Sequence, residues 1–211
     1  MFVDLIDALR CPVPHDDRWL VAASSRTVDR HILEGTLGCP VCGAEYPVRD
    51  GAVWFGLGHC AGPSAARVVD SGDPAEVTRL AALLGIDDLG GRYLFDGAWS
   101  AMIAAVTLVG PLHALVLEAV MPGASVLRDC GAHIPLATGS LRGVVLARPL
   151  AELAVAATRV LQSAGRLVAP AETPVPAGVT LLASDDRQWV ASRDATAAPA
   201  QAAAPVVLRR A

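Results

Sequence analysis

The chain has 211 residues, and at roughly 100–200 residues per domain this allows one ordinary domain and a small one. Apolar residues make up 53% and aromatic residues 4%, so the core must be largely aliphatic, which suits helices stacked on a buried sheet. The net charge is −4, and all 17 basic residues are arginines scattered along the chain, which excludes the dense basic stripe that neutralising nucleic-acid phosphates requires.

The first residues, Met1–Arg10, carry Asp4 and Asp7 and lack the basic flank and long apolar run of a signal peptide, so a cytoplasmic location is expected. Five cysteines without a secretory signal argue against a disulfide framework and for metal ligation or burial. Cys39-Pro40-Val41-Cys42-Gly43 is a zinc-knuckle sequence: two thiolates two residues apart can grip one tetrahedral ion, and the glycine permits the tight turn. Upstream, Cys11-Pro12-Val13-Pro14-His15 offers a thiolate and an imidazole, and the interval before Cys39 is long enough for a β-hairpin with Arg18–Ala23 as one strand. Cys11, His15, Cys39 and Cys42 would then make a Cys3His zinc site, with His31 as the reserve ligand. The competing reading is a redox dithiol of Cys39 and Cys42, which would need both sulfurs free of metal. Such dithiols normally open a helix, and Pro47 prevents an early one here.

Residues 56–73 read as a linker, small and turn-prone, in which His59 and Cys60 have no expected role. Asp73 as N-cap, Pro74 at the first helical position and Gly85 as the stop predict a helix over Pro74–Leu84. Thereafter strand and helix signals alternate: strand Arg92–Phe95, helix Ala98–Leu108, strands Ala114–Leu117, Ser125–Arg128 and Gly143–Ala147, helix Pro149–Ser163 and strand Gly165–Ala169. This alternation means a parallel sheet with right-handed crossovers. Within it, Ala101–Met121 is apolar enough to raise a membrane span, but Gly110-Pro111 breaks the run and His113 and Glu118 would be costly in lipid. His113 is expected to be a packed core histidine. Val179–Ala183 and Gln188–Ser192 flank Ser184-Asp185-Asp186-Arg187 as a hairpin, and an Ala/Pro-rich tail occupies 195–211. The organisation expected is a small module over 1–55, the linker, an α/β domain over 74–194 and the tail.

Two resemblances sharpen this. The segment Leu5–Pro12, joined by Gly35–Gly51 with its Cys-Pro-Val-Cys-Gly-Ala-Glu-Tyr-Pro-Val-Arg-Asp-Gly run, resembles the small zinc-ribbon family whose members activate tRNA, rRNA and protein methyltransferases. The first knuckle departs from that family, which would have Cys where Pro14 stands. The resemblance implies a module that holds a methyltransferase domain by strand pairing and apolar contact, and fusion to such a domain. The strand and helix order beyond the linker resembles class I S-adenosylmethionine methyltransferases: Asp129–Val145 is similar to their segment from the adenine-side acid to the fourth strand, and Arg159-Val-Leu-Gln-Ser-Ala-Gly-Arg-Leu-Val168 to their Arg-Val-Leu-x-x-Gly-Gly-Arg-Leu run, with a closing antiparallel hairpin. The fold implied is α/β: a zinc-ribbon β module followed by a Rossmann-like methyltransferase domain with a reduced parallel sheet and a C-terminal antiparallel hairpin. By position Asp96 and Gly97, Glu118 and Asp129 match cofactor-binding positions, Glu118 the acid for the ribose hydroxyls and Asp129 the acid near the adenine. Ordinary strand-end polarity would account for the two acids equally well.

The first strand's loop departs most. Where the family places glycines at alternate positions so that bare backbone can approach the cofactor, this chain has Ala98, Ser100 and Met102, and Trp99 adds bulk. The stretch Ala119–Ala124 is too short for a crossover helix. The function expected is therefore a methyltransferase-like protein that has lost catalysis and acts as a scaffold or regulatory partner, through a protein partner or self-association. The alternative is an active S-adenosylmethionine-dependent enzyme with a glycine-poor cofactor loop. No acceptor-activating base is identifiable.

Overall fold

The structure, a computed structural model, describes residues 1–16, 19–58, 72–119, 121 and 124–195. The described residues form one eleven-stranded sheet into which both halves of the chain run. Residues Val3–Ala8 form a 3₁₀ helix. Strands β1 (Val21–Val28) and β2 (His31–Gly38) make the hairpin expected between Cys11 and Cys39, three residues later than the predicted strand, and the reversal is made by Asp29 and Arg30 in left-handed conformation. β3 (Glu45–Arg49) pairs antiparallel with β2, and β4 (Ala52–Trp54) antiparallel with β3.

The helix α1 (Pro74–Leu84) has the predicted bounds: the Asp73 carboxylate accepts from the Ala75 N–H at 2.9 Å, and Gly85 ends it at φ 64°. β5 (Arg92–Asp96) leads into a 3₁₀ helix over Gly97–Met102 and only then one α-turn, α2 (Ile103–Val106), in place of the continuous helix expected over Ala98–Leu108. The remaining elements are β6 (His113–Leu117), β7 (Ser125–Arg128), β8 (Leu141–Val145), α3 (Ala151–Val160), β9 (Leu161–Pro170), β10 (Val179–Ser184) and β11 (Gln188–Arg193). α3 is shorter than the predicted helix because the chain turns extended at Leu161 and enters β9 at once, with Ala164 at φ 62° forming a bulge against β8. No described residue between β6 and β7, or between β7 and β8, is in a helix. No helix among the described residues is long and apolar enough to cross a membrane.

The strands run in the order β1-β2-β3-β4-β7-β6-β5-β8-β9-β11-β10. β7, β6, β5, β8 and β9 are mutually parallel, and the β10–β11 hairpin closes the sheet antiparallel on β9. On the other side β4 pairs parallel with β7, matching Val53 to Leu127, so the N-terminal module extends the parallel sheet directly.

Strand alternation divides the core between the two faces. Tyr93, Phe95, Val116, Val126 and Val145 point to α1, α2 and the 3₁₀ turn before it. Leu94, Leu115, Leu117, Leu127 and Val144 point the other way, where α3 shares the cover with Leu5, Ala8, Leu9, Leu37, Tyr46 and Phe55 of the N-terminal module. The module thus occupies a face that crossover helices would otherwise cover. Backbone bonds secure it: the Arg10 N–H donates to the Pro135 carbonyl at 2.9 Å, and the Ala137 N–H to Ala8 at 2.7 Å. Leu9, fully buried and bridged to Leu136, lies at the centre of this join. Leu9→Ala is therefore expected to cost about 2–5 kcal/mol, read as a lower urea midpoint for a single transition of the whole chain. Separate transitions with only the first displaced would show that the two halves do not share a core.

Candidate functional site

Two places gather the chemistry-bearing residues. The first is built by the turns that flank the β1–β2 hairpin. Arg10 bridges Trp19 and so fixes Cys11 beside the ribbon, while Cys39 leaves β2 and Gly43, at φ 72°, closes the knuckle with its N–H donating to the Cys39 carbonyl at 2.9 Å. Cys11, His15, Cys39 and Cys42 converge, with one ligand atom from each lying within 4.8 Å of all the others. Cys11 Sγ is 3.7 Å from Cys42 Sγ, and Cys39 Sγ is 3.3 Å from His15 Nε2. A tetrahedral ion with Zn–S of about 2.3 Å and Zn–N of about 2.0 Å would set its ligand atoms about 3.8 and 3.5 Å apart, so this donor set fits zinc in kind and in spacing. His15 Nδ1 is 2.5 Å from the Asp16 carbonyl oxygen, which would take its proton and leave Nε2 as the donor atom. His31 lies elsewhere, at the start of β2 against Phe2.

Burial opposes ionisation of Cys39, but N–H groups of Cys42 and Val41 and the neighbouring thiols outweigh it and bring the pKa down to about 7. Burial pushes the Cys11 thiol up instead. The Tyr46 hydroxyl sits 3.1 Å from Cys11 Sγ, and burial followed by that contact raises its pKa above the usual phenol range, so it stays protonated and able to donate to sulfur. Its place in the Tyr-Pro-Val stretch had no chemical signal in the sequence. The Cys39–Cys42 pair opens no helix but turns into β3, so the usual support for a redox dithiol is missing.

The second place is the carboxyl edge of the parallel strands. In open α/β sheets ligands bind where the strand order reverses, here between β5 and β8. Asp96 ends β5 with no solvent exposure, and its carboxylate accepts from Arg148 Nη2 at 2.7 Å, Arg148 Nε at 3.1 Å and the Ala147 N–H at 3.0 Å. Trp99 reaches the same point, its indole N–H donating to the Leu146 carbonyl at 3.1 Å. Gly97, at φ 54°, lets the loop turn towards Ala147, whose Cβ lies 3.5 Å from where a side chain on Gly97 would begin. Met102 does not project into the crevice, as its size suggested, but is fully buried beside Ile103 in the core.

Glu118 and Asp129 are brought together at the neighbouring edge, both with positive φ. The Glu118 carboxylate accepts from the Cys130 N–H at 2.8 Å and the Asp129 N–H at 3.2 Å, which ties the end of β6 to the end of β7. Burial, then the charges of Glu118 and Asp129, hold the Cys130 thiol well above its ordinary range. At the positions that the resemblance assigns to cofactor binding, Asp96 is thus engaged by Arg148 and Glu118 by backbone amides. Arg148 and the placement of Trp99 escaped sequence reasoning, since an Arg-Pro after a strand reads as ordinary loop. His59, Cys60 and residues 196–211 lie outside the described residues.

Residues 3–51 match the family described as Trm112p-like protein. Among solved structures the chain is similar to a candidate S-adenosyl-L-methionine-dependent methyltransferase from Methanococcus maripaludis, at 10% identity over 57% of this chain and 84% of that one, with a TM-score of 0.41. It is also similar to geranyl diphosphate C-methyltransferase from Streptomyces coelicolor, at 14% identity over 53% of this chain, with a TM-score of 0.36. The chain spans 54% of that second protein's length. No curated protein matches it. Residues 3–51 are thus similar to the Trm112p-like family, and one sheet joins them to an α/β domain of mostly parallel strands.

Proposed function

We propose that this protein is a methyltransferase-like scaffold without methyl-transfer activity, in which a zinc-bound ribbon clasps a degenerate domain of its own chain. The observation that carries the reading is the buried Asp96–Arg148 pair at the reversal of strand order, with Trp99 bonded to Leu146 beside it. The acid that the resemblance assigns to cofactor binding is neutralised from within, and a guanidinium and an indole are bonded at the edge where the strand order reverses.

Cys11, His15, Cys39 and Cys42 would hold the zinc. With four protein ligands the ion has no open position, so what it supplies is a cross-link between the two knuckles and not a reactive water. The ribbon's last strand, β4, then lies on β7 of the second domain, which is the strand-pairing role of the family exercised within one chain. A domain held rigid but without chemistry suits a scaffold or regulatory role, in contact with another protein or a second copy.

Titration calorimetry with S-adenosylmethionine tests this: no heat of binding is expected up to about millimolar ligand, and micromolar affinity would overturn it. The triple variant Ala98→Gly, Ser100→Gly, Met102→Gly is likewise expected to stay silent, because Trp99 and Arg148 remain in place. Binding by that variant would mean that the three missing glycines are the whole obstacle.

A further inference from the structure

At the opposite, amino-terminal edge of the parallel strands lies a cleft of about 340 Å³, lined by Phe2, Asp4 and His31 of the ribbon module and by Arg92, His113 and Ser125 at the starts of β5, β6 and β7, with an apolar floor. Its volume falls within the range of small-molecule sites, about 300–1,000 Å³, and such sites favour the seam between two units.

Among the cleft's polar side chains, Arg92 can only donate, whereas Asp4 brings a carboxylate. Arg92 is half-buried, yet its only hydrogen bond to a described residue is from Nη2 to the Asp4 carbonyl at 3.2 Å, and no described carboxylate pairs with it. A guanidinium has five N–H donors, so most of the capacity of Arg92 is unspent on the described residues. The Asp4 carboxylate in the lining does not take up that capacity, being engaged by Arg30 at 2.6 Å. The His113 ring makes no hydrogen bond to a described residue, and it and His31 flank the Phe2 ring at centroid distances of 6.1 and 5.1 Å. Phe2 is fixed from below, since its N–H donates to Ser125 Oγ at 2.9 Å.

We infer that this cleft is a binding site for a small organic anion that carries an apolar ring, its carboxylate or phosphate held by Arg92 and His113 and its ring seated against Phe2. The occupant would bridge the ribbon and the α/β domain and brace their join from the side remote from the closed crevice. The site stands independently of whether that crevice binds S-adenosylmethionine.

Phenyl phosphate is a suitable probe, followed by the histidine side-chain resonances of the whole chain, with inorganic phosphate and benzoate in parallel. Saturable shifts of His31 and His113 are expected with phenyl phosphate and benzoate, and at least tenfold weaker affinity in Arg92→Met, as loss of a charge-assisted contact implies. His113→Gln, at an exposed position, should weaken binding without changing the melting temperature. Absence of saturation, or equal affinity in wild type and a folded Arg92→Met variant, would overturn the site. Equal affinity for inorganic phosphate would overturn the part given to the ring, and saturation by only one of the two ring-bearing probes would decide between phosphate and carboxylate as the group recognised.

Discussion

Cys39→Ser, or removal of the metal by a chelator, is expected to abolish the cooperative melting of the entire chain and not of the ribbon alone. Structural zinc contributes about 10–16 kcal/mol to the folding of small zinc modules, against a total stability of about 5–15 kcal/mol for a typical domain. In a protein whose ribbon stood apart, the loss would stop at the ribbon. Here Leu5, Leu9, Leu37, Tyr46 and Phe55 belong to the same buried cluster as Leu94, Leu115, Leu117 and Leu127, so a collapsed ribbon strips the cover from one face of the parallel sheet. The measurements are zinc content, expected at about one ion per chain, together with near-ultraviolet circular dichroism and binding of a hydrophobic dye before and after chelation. A chelated protein that keeps its native melting curve would show that the cluster is an empty remnant.

Arg148→Met is expected to destabilise the protein by about 3–5 kcal/mol, because it leaves the Asp96 carboxylate, with no solvent exposure, without its partner. The double variant Asp96→Asn, Arg148→Met should recover most of that loss, since the amide still accepts from Ala147 and no charge remains buried. Denaturant unfolding of the wild type, both single variants and the double variant closes the cycle. Additive losses would mean that the two side chains are not coupled, and the account of the closed crevice would fail with them.

These expectations draw on different degrees of legibility in the sequence. Local signals read well: Asp73-Pro74 and Gly85 delimit α1, and Cys39 and Cys42 with the upstream Cys11 and His15 converge in space as their spacing implied. Strand identities in the second half also read well, because each is a short apolar run between turn residues. The 3₁₀ turn after β5 was not legible, since Ala98-Trp99-Ser100-Ala101 has ordinary helix content and only the tie from Trp99 to Leu146 draws it tight. Pairing between distant segments was the least legible of all. Nothing in Ala52-Val53-Trp54 indicates that it will lie against Val126-Leu127-Arg128, because register between strands remote in sequence leaves no period in either. The Asp96–Arg148 pair was hidden for the same reason, Asp96 reading as a cofactor-binding position and Arg148 as ordinary loop until the sheet sets them side by side.

The β4–β7 ladder has one more consequence. A strand already spent on its own chain cannot be lent to another, and a covalent tether keeps it near its seat at millimolar effective concentration. Pairing of this sheet with a strand of another chain is thereby left to the outermost strands, β1 and β10.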